Sequence, residues 1–154
     1  MWKTWIKAFA AFAGLCLLLD FVTTRLIILK TPLADGSRIQ HFLLDNSDDI
    51  PILGNSRALG HYCPDDMGLT AFNYGMNSAS FDVIEVFLQI ELSKTRTTPL
   101  IVELEFFDTH NIGDQGKFIP FVSNPRISGL MKNYNAMKWW YYVPGIRYFG
   151  NYEY

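Results

Sequence analysis

The sequence predicts an α/β fold, with a parallel sheet of about three strands, flanking helices and a transmembrane helix at the N-terminus. Three observations carry this reading. Apolar runs at residues 50–53, 71–75 and 100–107 alternate with helix-period segments, in the order strand, helix, strand, helix, strand. Such alternation builds parallel sheets, because a parallel partner is reached only through a crossover long enough to hold a helix. Residues 5–29 carry only Lys7, Asp20 and Arg25 as charges, a stretch long and apolar enough to span a bilayer. Finally, 49% of the chain is hydrophobic and 16% aromatic, which excludes disorder. The chain divides into an anchor (1–30), a connector (31–48) and a partial α/β domain with an aromatic C-terminal segment (49–154).

At 154 residues the chain allows one ordinary domain and a small extra element. A net charge of −2 gives no basis for a nucleic-acid partner. The two cysteines, Cys16 and Cys63, are too few for a disulfide framework or a zinc site. Cys16 falls inside the apolar helix, which argues against their pairing.

In the N-terminal segment, Lys3 and Lys7 precede the apolar stretch, and Trp2 and Trp5 stand where an interfacial aromatic belt forms. About 20 residues cross a bilayer, and residues 5–24 supply them. Asp20 costs on the order of 2.5–3.5 kcal/mol at the bilayer centre and less near the headgroups. The positive-inside rule keeps the lysine end in the cytoplasm and puts the domain on the periplasmic or extracellular side. A cleaved signal peptide and a buried core helix compete with this reading. No small-x-small cleavage site follows Leu19, however, and apolar residues continue to Leu29. Ala13-Gly14-Leu15-Cys16 matches a lipoprotein site only loosely.

Pro32, Gly36 and Ser37 mark turns in the connector, and residues 39–44 read as a short helix with His41 as a surface or packing residue. Ile50, Ile52 and Leu53 form the first strand. Gly54 then permits a tight turn at positive φ, and Ser56 falls at a helix N-terminus. A serine there is either an N-cap or a nucleophile with backbone N–H groups close by. Residues 57–67 follow as a short helix or loop. Strand 71–75 closes on Gly75. Ser80 caps a helix over 81–94, with Phe81, Ile84, Phe87, Leu88 and Leu92 on one face. Thr97, Thr98 and Pro99 end that helix before the third strand. Ligands of parallel sheets bind at the carboxyl ends of the strands, so Ser56, residues 75–78 and residues 107–111 converge on one cleft.

From residue 108 onward no strand is evident. Residues 117–125 read as an apolar loop. Residues 134–154 are crowded with aromatics, among them Trp139, Trp140, Tyr141 and Tyr142. Such a stretch can stack on sugars or, with Lys132, Lys138 and Arg147, lie on a membrane surface. We favour a third role, packing beneath the remainder of a larger domain.

The block Ile52-Leu53-Gly54-Asn55-Ser56-Arg57, followed by Asn73-Tyr74-Gly75-Met76-Asn77, resembles the SGNH/GDSL hydrolase family, in particular its membrane-anchored bacterial members. The resemblance covers residues 50–108. It implies a flavodoxin-like fold, Ser56 as nucleophile and the Gly75 N–H in the oxyanion hole. It further implies a serine esterase or O-acyltransferase acting on acyl esters of a cell-envelope polysaccharide, with that polysaccharide or an acyl donor protein as partner. No metal or organic cofactor is implied. Two family blocks depart. For the third, only Asn111 is present, in an unmatched context. The Asp-x-x-His block that supplies the base is absent, which leaves His110 as a stand-in. Without a base a serine hydroxyl is barely nucleophilic. The expectation is therefore the N-terminal part of a longer reading frame or a decayed copy. The alternative is a non-catalytic membrane-anchored envelope protein that binds polysaccharide or an assembly partner. Nucleotide binding is disfavoured, because no Gly-x-Gly-x-x-Gly or Walker-type loop follows a strand.

Overall fold

A computed structural model describes residues 2–28, 35–68, 70–104, 112 and 115–148. The first helix, α1 (Trp2–Val22), runs on into a π-helical turn (Thr23–Ile28). A helix apolar on all sides belongs either in a core or in a membrane. Within α1, Phe9 is 74% exposed and Leu18 58%, so the helix is not a core element of this fold. It is long and apolar enough to cross a membrane, with a mean hydropathy of 1.9 in its most apolar window.

Helix α2 (Asp35–Leu44) starts four residues before the expected one. Asp35 in its first turn complements the helix dipole and pairs with Arg38 at 3.5 Å. Ile39 and Phe42 on its inner face are fully buried. The chain then enters β1 (Ile50–Leu53), passes through the short helices α3 (Ser56–His61) and α4 (Pro64–Met67), and forms β2 (Ala71–Asn73). Helix α5 (Phe81–Leu92) leads to β3 (Ile101–Val102). The three strands are parallel in the order β2-β1-β3, so β1 is central. Its Pro51 is tolerated there because β3 begins opposite Ile52, beyond the level at which the missing N–H would be needed. The third strand was expected to run to residue 107; residues 105–107 lie outside the described residues.

Helix α5 departs from expectation in two ways. Its buried face is Val83, Ile84, Phe87 and Ile90, whereas Phe81 (44%) and Leu92 (72%) are exposed. The helix is covered on two sides, by the sheet and by a later helix, and that rotates its apolar stripe. Ser80 has the N-cap position, but its buried hydroxyl makes no capping bond.

The C-terminal part is more ordered than its sequence suggests. The expected loop at 117–125 is largely a buried 3-10 helix (Gly116–Phe121), and α6 (Pro125–Asn133) packs on α5. Asn124 caps α6, its Oδ1 accepting from the N–H groups of Arg126 and Ile127, and Pro125 fills the first helical position. After α6, a short 3-10 turn (Trp139–Tyr142) buries Tyr141 completely. Phe118, Ile119, Ile127, Leu130, Met131 and Tyr141 join the core of the sheet domain. In the segment 134–154, expected to pack beneath the remainder of a larger domain, Ala136 and Tyr141 are buried in this core and Tyr134, Met137, Trp140 and Tyr148 pack against it. Trp139 and Tyr142 are exposed, and residues 149–154 lie outside the described residues.

The amino end of β1 is held by a buried polar cluster. The Arg96 guanidinium pairs with Glu91 through Nε (2.5 Å) and with Asp45 through Nη2 (3.2 Å). It also donates to the backbone carbonyls of Ser47 (3.0 Å) and Asp49 (3.2 Å). Tyr74, from the end of β2, donates to Asp45 Oδ2 at 2.8 Å. Burial alone would push the Asp45 carboxyl up. Hydrogen bonds from Ser47 and Tyr74, with the Arg96 charge, outweigh it and hold Asp45 well below the usual carboxylate range. Burial and the Asp45 carboxylate push the Tyr74 phenol far up.

Two outcomes follow from this cluster. Arg96→Met leaves the buried Asp45 carboxylate without its cation and Glu91 with Lys94 alone, and should destabilise the protein by about 3–5 kcal/mol, read by chemical unfolding in detergent. Asp45 binds its proton less readily folded than unfolded, so its contribution is present above about pH 4 and drains away as the pH falls below that. The acid side of the melting-temperature profile should therefore be flatter in Asp45→Asn than in the wild type.

Candidate active site

The candidate site is the turn that carries the chain out of β1. Gly54 does not use positive φ; among the described glycines only Gly68 and Gly145 do. What requires glycine here is space. A Cβ at Gly54 would lie 2.5 Å from Ala58 Cβ and 3.0 Å from Glu103 Cβ, so α3 and β3 both close on this backbone. The expected strained turn is replaced by close packing.

Asn55, not Ser56, is the N-cap. Its Oδ1 accepts from the Arg57 N–H at 2.8 Å, and its carbonyl accepts from the Leu59 N–H at 3.1 Å. Ser56 is the first residue of α3 and is solvent-exposed. The capping role that competes with nucleophilicity is thus filled by its neighbour, and the Ser56 hydroxyl has no hydrogen-bond partner among the described residues. The Ser56 N–H, at the first helical position, has no carbonyl within the helix to bond.

Gly75 follows β2, adjacent to β1 in the sheet. Asn73 organises this second turn. Its Nδ2 donates to the carbonyls of Ala58 and Tyr62, both at 2.7 Å, stitching α3 to the sheet. Its Oδ1 accepts from the Gly75 N–H at 2.8 Å. The amide that the family resemblance assigns to the oxyanion hole therefore already has an acceptor. Gly75 has a packing reason of its own, since a Cβ there would lie 2.6 Å from the Leu59 backbone nitrogen. The turn after β2 meets the turn after β1, the Met76 N–H donating to the Gly54 carbonyl at 3.1 Å. His110 and Asn111 lie outside the described residues.

The two histidines within the described residues, His41 and His61, form no hydrogen bond to Ser56. His41 Nδ1 faces the Tyr74 hydroxyl at 3.1 Å and its ring packs on Phe72, in the packing role expected for it. The residue that sequence reasoning missed is Glu103. It follows β3, its backbone N–H donates to the Leu53 carbonyl at 2.8 Å, and its Oε2 is buried with no hydrogen-bond partner among the described residues. Its signal was an acidic residue within the apolar run Leu100-Ile101-Val102-Glu103-Leu104. Here it puts an unused carboxylate oxygen 3.2 Å from where a Gly54 Cβ would be. Elsewhere, a cavity of about 460 Å³ opens between α1 and the domain, walled by Phe21, Arg25, Leu43 and Phe121 among others and by neither Ser56 nor Gly75.

No protein-family model, curated protein sequence or solved structure matches this chain.

The packing at the turn separates two neighbouring substitutions. Gly54→Ala forces a methyl against Ala58 and Glu103 and should lower stability by about 1–3 kcal/mol. Ser56→Ala, two residues on and exposed, should stay within about 0.5 kcal/mol of wild type. Parallel chemical unfolding curves of the two variants check this.

Proposed function

We propose that the chain carries a serine site of the SGNH type, belonging to a membrane-anchored esterase or O-acyltransferase that acts on acyl esters of a cell-envelope polysaccharide. One observation carries the reading: an exposed serine hydroxyl, relieved of capping by Asn55, at the carboxyl end of the central strand of a parallel sheet. That end of such a sheet is where ligands bind. The order β2-β1-β3 also agrees with a flavodoxin-like sheet, which sets its first strand between the second and third. In the reaction, Ser56 Oγ attacks the acyl carbon, its proton passes to a base within hydrogen-bond reach, and the alcohol leaves with a proton from that base; water or an acceptor hydroxyl, deprotonated by the same base, then attacks the acyl-serine and releases the acid or the new ester with the proton returned to Ser56 Oγ. Glu103 and His110 are the candidates for the base, and Asn111 for an oxyanion donor.

Helix α1 is read as a retained single-pass anchor. Asp20 within it and Thr24 in the π-helical turn that continues it bond to Arg147 and Tyr148 near the other end of the chain, a partnership that a cleaved signal peptide would not have. Lys3 and Lys7 favour a domain on the non-cytoplasmic side.

A second reading has its own support. The Gly75 N–H is engaged by Asn73, and a cleft with one fewer oxyanion donor suits a non-catalytic protein that binds polysaccharide or an assembly partner.

The decisive experiment uses the full chain in detergent with a fluorophosphonate probe and an acetyl ester. Catalysis predicts covalent labelling at Ser56, and a loss of ester turnover on the order of 10³-fold or more in Ser56→Ala. Absence of labelling, with cellular function intact in Ser56→Ala, selects the binding reading.

A further inference from the structure

The geometry points to a second membrane contact: residues 143–146 form an apolar wedge that enters the lipid beside α1, held there by Asp20 and Arg147. The inference rests on the reading of α1 as a membrane span.

The starting point is an anomaly of burial. Asp20 is 6% exposed on a helix whose neighbouring Leu19 and Phe21 are more than half exposed. What covers it is the chain after the Trp139–Tyr142 turn. Asp20 Oδ1 accepts from the Gly145 N–H at 3.0 Å and from Arg147 Nε at 2.7 Å, and its Oδ2 pairs with Arg147 Nη2. Arg147 Nη2 also donates to Thr24 Oγ1 at 3.2 Å, and the Thr24 hydroxyl meets that of Tyr148. A carboxylate within a span needs a paired cation and full hydrogen bonding, and here the other end of the chain supplies both.

The same contacts fix depth. Gly145 has φ +87°, and a Cβ there would lie 2.7 Å from Cys16 Cβ, so the loop backbone rests directly on α1 at Cys16. Cys16 is eight residues before Thr24, the end of the expected span, which is about 12 Å along a helix rising about 1.5 Å per residue. With a hydrocarbon core about 30 Å thick, the loop tip reaches acyl-chain depth.

The composition of the tip suits that depth. Val143, Pro144 and Ile146 are apolar and solvent-exposed in the isolated chain. Backbone entering lipid must have its polar groups satisfied, and at the tip the N–H groups are. The Val143 N–H donates to the Trp140 carbonyl (3.0 Å) and that of Ile146 to Val143 (3.3 Å). Gly145 donates to Asp20, and Pro144 has no N–H to satisfy. Just before the tip, Lys138, Trp139 (70% exposed) and Tyr142 (50% exposed) are residue types enriched at the headgroup level. The wedge is continuous with the exposed apolar flank of α1, which is why lipid, and not a protein partner, is its occupant.

The test uses the full chain in vesicles of phosphatidylcholine and phosphatidylglycerol, in a Cys16→Ala, Cys63→Ser background. Nitroxide labels go on single cysteines at Ile146→Cys, at Leu18→Cys within α1, and at Leu92→Cys on the exposed side of α5. Collision with oxygen reports lipid and collision with a polar nickel complex reports water. The expected result is that Ile146 matches Leu18, with nickel collisions lower by about threefold or more than at Leu92, since polar solutes are excluded from hydrocarbon. Adding Gly145→Leu, which fills the space taken by Cys16, should return the Ile146 label toward the Leu92 value. A water-exposed Ile146 beside a lipid-exposed Leu18 overturns the wedge and leaves the span intact. An Ile146 label shielded from both reagents means a protein cover and also overturns it. A water-exposed Leu18 overturns the span, and the wedge with it.

Discussion

One guanidinium, that of Arg96, ties together the parts of the domain that local structure leaves separate. It lies just beyond α5, yet its donors reach Asp45, Ser47 and Asp49 in the segment that leads into β1. A strand of four residues has few ladder bonds with which to hold its own register. The planar, multi-donor head of arginine pairs with two carboxylates and donates to several carbonyls at once, which neither lysine nor a neutral side chain can do. Lys94 completes the arrangement, pairing with Glu91 at 2.8 Å and donating to the Phe42 carbonyl at 2.6 Å. Buried charges of this kind are tolerated because their partners are present, and that makes the cluster intolerant of losing any one member.

At the opposite end of the same strand, the turn of Ser56 is shaped by close approach. Gly54 and Gly75 are glycines because α3 presses on both turns, and Asn73 links the two by bonding to α3 with its amide and to Gly75 with its carbonyl. Asn55 takes the capping work and leaves the serine outward. The arrangement displays a hydroxyl on a rigid platform. What turns such a hydroxyl into a nucleophile is a base, and one proposed base, Glu103, has a buried carboxylate oxygen with no hydrogen-bond partner among the described residues.

The two ends of the chain meet at Asp20 and Arg147. This pairing converts a costly charge on an apolar helix into a docking point. It also couples the orientation of the domain to α1, because Tyr141, a few residues before the dock, is buried in the domain core. A membrane contact on either side of that dock would hold the candidate site at a set height above the bilayer.

Much of this protein was legible locally. A long uncharged run determined α1, short apolar runs determined β1 and β2, and helical spacing determined that α5 is a helix, since length and spacing are short-range properties of the sequence. The parallel arrangement followed from strand and helix alternation. The sequence placed Ser56 after the first strand for the same reason. The misses were of two kinds. Asn124-Pro125 with Ile127, Leu130 and Met131 carried a capped-helix signal for α6 that went unread beneath the aromatic clutter. The others could not be read at all without coordinates. Which face α5 buries, which residue caps α3, why Gly54 is glycine, and the partners of Arg96 and Asp20 depend on groups as many as 127 residues apart. Such pairings carry no spacing rule, because the chain brings them together only after the apolar core has chosen its packing.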